Sequence, residues 1–394
     1  MPRFQDVVGD DPVSPRRRVV TGLRDGGVMS RAALARRIAL APSTITAVVK
    51  ELTREGVVVE TSTEDLKEAV RSGPRSRGIT LNPSLGYVVG IDFGFRTVRL
   101  LLSDVSAREI GAVEGRLPDR AGADEGLKLA IDLLDEVLGP AGLQRSDVDF
   151  VGIALPGPVD PSAQQVVGSA ILPGWARESA QSIGDRLGLP VALDNDANLA
   201  ALGEHVFGAG RGSRSSLTVK FHSGIGAGVI VGNTSVSGHR GGAGEIGHFL
   251  VDPRGPLCRC GKRGCLDTYA AVPAILSAMR SLHPQIDFPG FIRLLADRDP
   301  GAERVAQDAA TLVGHAVAMA NLLLAPEVVI VVGAMSRARD VVLEPIRAAL
   351  VRESIPESHE VPRVVLGSLG DRHTAMGAVA LALQSLGWLA TVLN

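Results

Sequence analysis

All three cysteines of this chain fall within eight residues, Cys258-Arg259-Cys260-Gly261-Lys262-Arg263-Gly264-Cys265. Thiols set that close force the chain to double back, and the glycines between them supply the freedom for the turn. Just upstream stands Gly244-Glu245-Ile246-Gly247-His248. His248 with Cys258, Cys260 and Cys265 makes a complete four-ligand set for a tetrahedral, thiolate-rich, structural zinc ion. The bland reading is three free thiols that cluster by chance. Short glycine-rich spacers, which let a chain wrap a small ion, argue against it. A zinc beside Glu245 locates the middle of the functional site.

A chain of 394 residues has room for two or three domains. Its apolar content of 45% with few aromatics fits an α/β protein rich in small aliphatic residues. No apolar run reaches the roughly 18 residues needed to span a bilayer, so no membrane partner is expected. The start, Met1-Pro2-Arg3-Phe4-Gln5-Asp6, lacks the apolar core of a signal peptide. Together with clustered reduced thiols this points to the cytoplasm. Charge is unevenly spread: residues 1–80 carry 14 Lys/Arg against 10 Asp/Glu, the remainder 27 against 33. A basic end on an acidic body is the asymmetry expected when one end meets a polyanion.

That basic end reads as a winged helix-turn-helix. An upstream helix spans about Arg16 to Arg24. Ser30 is placed to cap a helix over residues 31–38, in which Leu34 and Ile38 share a face. After a break at Ala39-Leu40-Ala41-Pro42, Ser43 is expected to cap a second helix over residues 44–55, which Gly56 ends. Ile45, Val48, Val49 and Leu52 form its apolar stripe. Ser43, Thr44, Thr46, Ala47 and Lys50 lie opposite, small or polar enough to approach bases and phosphates. Residues 57–61 read as a strand, and a polar wing ends in Arg71-Ser72-Gly73-Pro74-Arg75-Ser76-Arg77-Gly78. Arg75 and Arg77 are candidates for a minor groove or phosphates. Operator DNA is the expected partner, against the blander reading of a helical adaptor with a solvated basic face. The domain is expected over 1–80, with a linker near 72–85.

From Gly86 the texture changes to strands that end in acids and glycines. Residues 87–94 are a buried strand delivering Asp92 and Gly94 to a turn, and residues 98–104 return from it. Residues 150–160 form another strand with a Pro/Gly turn. Residues 189–193 run into Asp194-Asn195-Asp196-Ala197-Asn198, and residues 217–221 lead to the glycine-rich turn Ser223-Gly224-Ile225-Gly226-Ala227-Gly228. One such turn is weak evidence, since about half are only tight hairpins. Four elements in this order, with the Glu245–Asp267 block and the winged helix, resemble the ROK family (repressors, open reading frames, kinases) over nearly the whole chain.

The resemblance implies an α/β fold: a two-lobed actin-like, sugar-kinase (ribonuclease H-like) ATPase body behind the winged helix. One lobe would comprise 86–200 with 370–394, the other, with the zinc motif, 201–369. It implies that Asp196 of the Asn195-Asp196 pair stands where the kinases keep their general base for a sugar hydroxyl. Glu245 and His248 would face the sugar, His248 through its second ring nitrogen while zinc fixes the ring. Asp267 stands where the family usually has Glu, one methylene longer. The nucleotide half departs from the kinases. Where they read Asp-x-Gly-Gly-Thr-Lys, this chain has Asp92-Phe93-Gly94-Phe95-Arg96-Thr97, with a bulky ring where backbone should approach phosphate. A Gly-Gly pair has become Gly333-Ala334, and the turn holding Gly224 and Gly226 is largely kept.

Sugar ligands beside a damaged ATP cradle imply a sugar-responsive transcriptional repressor, homodimeric or homotetrameric, that has lost kinase activity and uses no ATP. The alternative is a working ATP-dependent sugar kinase with a DNA-binding arm, its Asp196 a live base. A third reading is a regulator signalled by a partner protein.

Overall fold

The structure, a computed structural model, describes residues 4–8, 11, 13–61, 78–118, 121–168, 174–355 and 360–389. Its N-terminal unit runs α1 (Phe4–Val8), α2 (Pro15–Gly26), β1 (Met29–Ser30), α3 (Arg31–Ile38), α4 (Pro42–Arg54), β2 (Val58–Thr61) and β3 (Gly78–Leu81). The short strands form an antiparallel sheet in the order β1-β3-β2. α3 and α4 meet at 115°, within the range of a helix-turn-helix. Leu23, Leu34, Ile45, Val49, Leu52 and Ile79 are buried together beneath the helices, as the apolar stripes require.

Ser30 caps α3 as expected, its hydroxyl accepting from the Ala33 amide at 3.1 Å. Ser43 does not cap α4. The helix begins one residue earlier at Pro42, and Ala41 is the cap residue without a side-chain bond. Proline has no amide proton to satisfy and its φ is already helical, so it starts the helix and leaves Ser43 exposed within the first turn. The expected linker is also shorter than 72–85, because Gly78–Leu81 pairs as β3 and closes the wing sheet. Arg75 and Arg77 lie outside the described residues.

The body opens with β4 (Tyr87–Phe93), β5 (Thr97–Asp104), β6 (Glu109–Arg116), α5 (Ala123–Leu138), β7 (Val148–Leu155), the small hairpin β8 (Val159–Asp160) and β9 (Gln165–Val166), α6 (Ala180–Leu187) and β10 (Val191–Asn195). β4, β5 and β6 are antiparallel, while β7 and β10 run parallel to β4, giving the order β10-β7-β4-β5-β6. α7 (Asp196–Phe207) then crosses to a second sheet. There follow β11 (Ser216–Phe221), β12 (Ile225–Val231), β13 (Thr234–Ser235), α8 (Asp267–Ala270), α9 (Val272–Met279), α10 (Phe288–Ala296), α11 (Pro300–Leu324), β14 (Val328–Val332), α12 (Asp340–Glu353) and β15 (Arg363–Leu366). The order β13-β12-β11-β14-β15, read in reverse, repeats the first sheet strand for strand and direction for direction. The α/β body is therefore two lobes of one topology.

The last helix, α13 (His373–Ser385), returns to the first lobe and packs on β4 and β7, while α7 packs on β11 and β12. These two helices cross almost backbone to backbone. A Cβ on Gly203 or Gly377 would strike the main chain of the opposite helix, and one on Gly90 or Gly152 would strike α13 carbonyls. The winged helix is seated on the same hub. Phe4 stands edge-on to Trp388 at 5.5 Å, and Arg24 donates to the Trp388 carbonyl at 2.5 Å. The buried side chains of the winged helix and of α13 form one continuous core. Among the described residues no single helix is long and apolar enough to cross a membrane.

Candidate functional site

Between the lobes lies a cleft with a cavity of about 470 Å³. Both halves of each lobe's topology deliver the ends of strands to it. β10 brings Asn195 and the N-terminus of α7 brings Asp196; β11 brings Lys220; the β11–β12 turn brings Gly224 and the start of β12 Gly226; the end of β4 brings Asp92 and the turn after it Gly94 and Phe95; the loop after β14 brings Gly333. Glu245, His248 and Asp267 complete the wall. Every sugar and nucleotide candidate of the sequence reading therefore lines one cavity.

Their side chains are not equally free. Asn195 is the cap of α7: its Oδ1 accepts from the Ala197 and Asn198 amides, and its Nδ2 donates to the Gly157 carbonyl at 3.0 Å. It positions the turn. Asp196 is paired with Lys220, Nζ to Oδ2 2.7 Å. Asp267 has both oxygens engaged, Oδ1 by the Ile225 amide at 2.8 Å and Oδ2 by Arg259 at 3.1 Å. Among the described residues Glu245 makes no such tie to a backbone amide; its Oε2 lies 3.7 Å from His248 Nε2. Burial, with Asp196 and Asp267 adding to it, pushes the Glu245 carboxyl up to about 6.

Sequence reasoning missed two cations here. Burial works against the Lys220 charge, but Asp196 and Asp92 together outweigh it and hold its pKa above the ordinary lysine value. Its only signal was a lysine inside an otherwise buried strand. Arg259, between the first two cysteines, reaches Asp267 and lies 5.5 Å from the centre of the Phe95 ring, bridging the two lobes across the cleft mouth. A Cβ on Gly224 would collide with its guanidinium. Gly333 has φ +88°, and a Cβ there would press on the Phe221 backbone, so strand packing already accounts for that glycine. The pKa of Asp92 is driven upward by burial, opposed by Lys220, and among the described residues its enclosed Oδ1 has no hydrogen-bond partner.

Beside the cleft, the ligand atoms of His248, Cys258, Cys260 and Cys265 all lie within 4.8 Å of one another. Cys260 and Cys265 sulfurs are 3.6 Å apart, and Cys258 Sγ is 3.7 Å from His248 Nδ1. The edge of a tetrahedron with metal–sulfur bonds of about 2.3 Å is about 3.8 Å, so the spacing fits a zinc ion. The Cys265 thiol is pushed up to about 12 by burial and its neighbouring thiols. A cation at the centre would turn this crowding into attraction by making thiolates. With Nδ1 facing the thiols, His248 presents Nε2 to Glu245.

On the winged helix, Ser43, Thr46 and Lys50 are exposed and Thr44 is half-buried, all on the outward side of α4. Thr46 also donates to the Pro42 carbonyl at 2.9 Å. Arg16 ties the inner end of α4 to α2 through ion pairs with Glu51 and Glu55.

Comparison with known proteins agrees with this geometry. The family model "ROK family" matches residues 88–385, and "Winged helix-turn-helix DNA-binding" matches 23–59. The xylose repressor of Bacillus subtilis (strain 168) is 27% identical over 362 residues, 90% of this chain and 91% of that one. The crystal structure of a ROK family transcriptional regulator, a homolog of the Escherichia coli MLC protein, superposes with a TM-score of 0.71. It is 24% identical and covers 95% of this chain and 98% of its own. The ROK family glucokinase of Streptomyces griseus, solved with glucose and AMPPNP, has a TM-score of 0.67 and is 28% identical. It covers 76% of this chain and 100% of its own. A winged helix on a two-lobed body, with a family model spanning that body, makes this chain a member of the ROK family.

Proposed function

We propose that the protein is a sugar-responsive DNA-binding repressor of carbohydrate genes that no longer phosphorylates its sugar. The observation that carries this is the contrast within the cleft. The sugar side offers Asp196, Glu245 and His248 Nε2, while the Gly224 turn on the nucleotide side is covered by Arg259, with Phe95 opposite. A polyol is recognised by such acceptors, and a polyphosphate needs bare backbone amides. Zn2+ at His248, Cys258, Cys260 and Cys265 is structural: when bound it supplies a fixed charge that holds the His248 ring in place.

Sugar binding closes the first lobe (86–200 with 370–394) on the second (201–369). The change reaches the winged helices through α7 and α13. Ser43, Thr44, Thr46 and Lys50, with Arg75 and Arg77, are the residues that meet operator DNA. Self-association would set two winged helices on a palindromic operator in the cytoplasm. The exposed apolar side chains of Met319, Leu322 and Leu323 on α11 support such an interface.

Calorimetric titration with a panel of pentoses, hexoses and amino sugars tests the cleft. One sugar class is expected to bind the wild type, with affinity falling at least tenfold in Glu245→Ala and Asp196→Ala and operator affinity kept. Unchanged binding in both variants would refute the assignment. A coupled ATP-consumption assay on the same panel is expected to stay at background, and sugar-dependent turnover would instead establish a kinase.

A further inference from the structure

Lys220 sits at the centre of the cleft floor. Its backbone pairs with Gly226 of β12 on one side and Val332 of β14 on the other, so it stands between the two glycine-bearing turns of the second lobe. Its side chain is only 15% exposed, and its Nζ is 2.7 Å from Asp196 Oδ2. Asp92, from the opposite lobe, lines the same cavity, and among the described residues its enclosed Oδ1 has no hydrogen-bond partner. The neighbouring His373 imidazole is held well below its ordinary pKa by burial, and Lys220 adds to that depression.

Two acidic side chains lining one part of the cleft, Asp196 at the start of α7 and Asp92 at the end of β4, are what a hard divalent cation requires. Here a tethered ammonium already answers them. An ammonium is a compact point charge with three donors, and it cannot leave. We propose that Lys220 is a built-in cation of this cleft: it takes the place of a divalent metal between Asp196 and Asp92, fixes the Asp196 carboxylate as acceptor for a sugar hydroxyl, and excludes a metal-bound polyphosphate. A metal ion brought by a nucleotide meets like charge and an occupied oxygen. A neutral sugar meets an aligned acceptor. Lys220 is thereby a specificity-determining residue that separates sugar from sugar plus nucleotide. The sugar half of this inference rests on the function proposed above, and the metal half does not.

The metal half is read by Mn2+ electron paramagnetic resonance on the full-length, zinc-loaded protein. Wild type is expected to leave Mn2+ free, Lys220→Ala to take up one Mn2+ per chain, and the Asp92→Asn/Lys220→Ala double variant to lose at least tenfold of that affinity. Mn2+ binding by Lys220→Ala no tighter than by wild type overturns the proposal. The sugar half is read with Lys220→Met, which is close to lysine in volume and also serves if the alanine variant fails to fold. Sugar affinity is expected to fall at least tenfold with operator affinity kept, and by less than twofold when the change is made in Asp196→Asn. Equal sugar affinity in Lys220→Met and wild type also overturns the proposal. A wild type that binds no sugar refutes the effector reading, and the Mn2+ titration then decides the role of Lys220 by itself.

Discussion

Asp194, one residue before the α7 cap, accepts from the Asn195 amide at 2.6 Å and from Asn198 Nδ2 at 2.9 Å. Burial nonetheless raises its pKa to about 6, with those two bonds opposing. A carboxyl with a higher pKa folded than unfolded binds more protons in the native state. Its contribution to stability is therefore greatest in acid and declines as pH rises from about 4 to about 6. Asp194→Asn is expected to stabilise the protein by about 1–2 kcal/mol above that window and to flatten the slope within it. Urea unfolding on either side of the window reads this, and a less stable variant at neutral pH would mean that the charge itself is needed. Asp194 was legible in sequence only as part of a turn, because its burial depends on how α7 leaves the sheet. Lys220 was hidden for the same reason: its partner is 24 residues away and is reached only once α7 crosses to β11.

Among the elements, α7 and α13 carry the arrangement. Their crossing at Gly203 and Gly377 leaves no room for a side chain, since a Cβ on Gly377 meets the Leu199 carbonyl. Gly377→Ala is expected to cost about 1–3 kcal/mol by forcing the helices apart, measured as a lowered urea midpoint; an unchanged midpoint would show that the helices do not touch as described. The thiol loop is the other local unit. Cys258→Ser is expected to lose stoichiometric zinc by metal analysis and to melt roughly 5 °C or more below wild type. Full zinc retention would remove Cys258 from the ligand set. Period and capping made most helices and strands readable, including α3 behind Ser30 and the buried β4. One failure lies beyond short range: Gly78–Leu81 looks like linker because its pairing partners, β1 and β2, are distant in sequence. The other is local: Pro42 starts α4 and makes Ala41 its cap in place of the expected Ser43.

At the scale of the molecule, the cleft and the DNA-binding unit share the α7–α13 hub. α7 starts at Asp196 in the cleft, and just past its end Arg211 donates to the Asp25 carbonyl of α2 at 3.4 Å. α13 leads into Trp388, on which Phe4 and Arg24 rest. A sugar that prefers one lobe arrangement therefore also biases the seat of the winged helix, by no more than its difference in affinity for the two arrangements. The two-lobed body was implied by a resemblance resting on glycine-bearing strand ends, while the repetition of one topology in both lobes emerged only from the strand pairing. The seating of the winged helix on α13 had no sequence signal, because it joins the two ends of the chain. The most direct measurement is binding to the operator-bearing DNA upstream of the gene, titrated with the sugar panel at fixed salt. One sugar class is expected to change operator affinity by about tenfold or more, near 1.4 kcal/mol of coupling, and to lose that effect in Glu245→Ala. Tight DNA binding that no sugar alters would contradict the account.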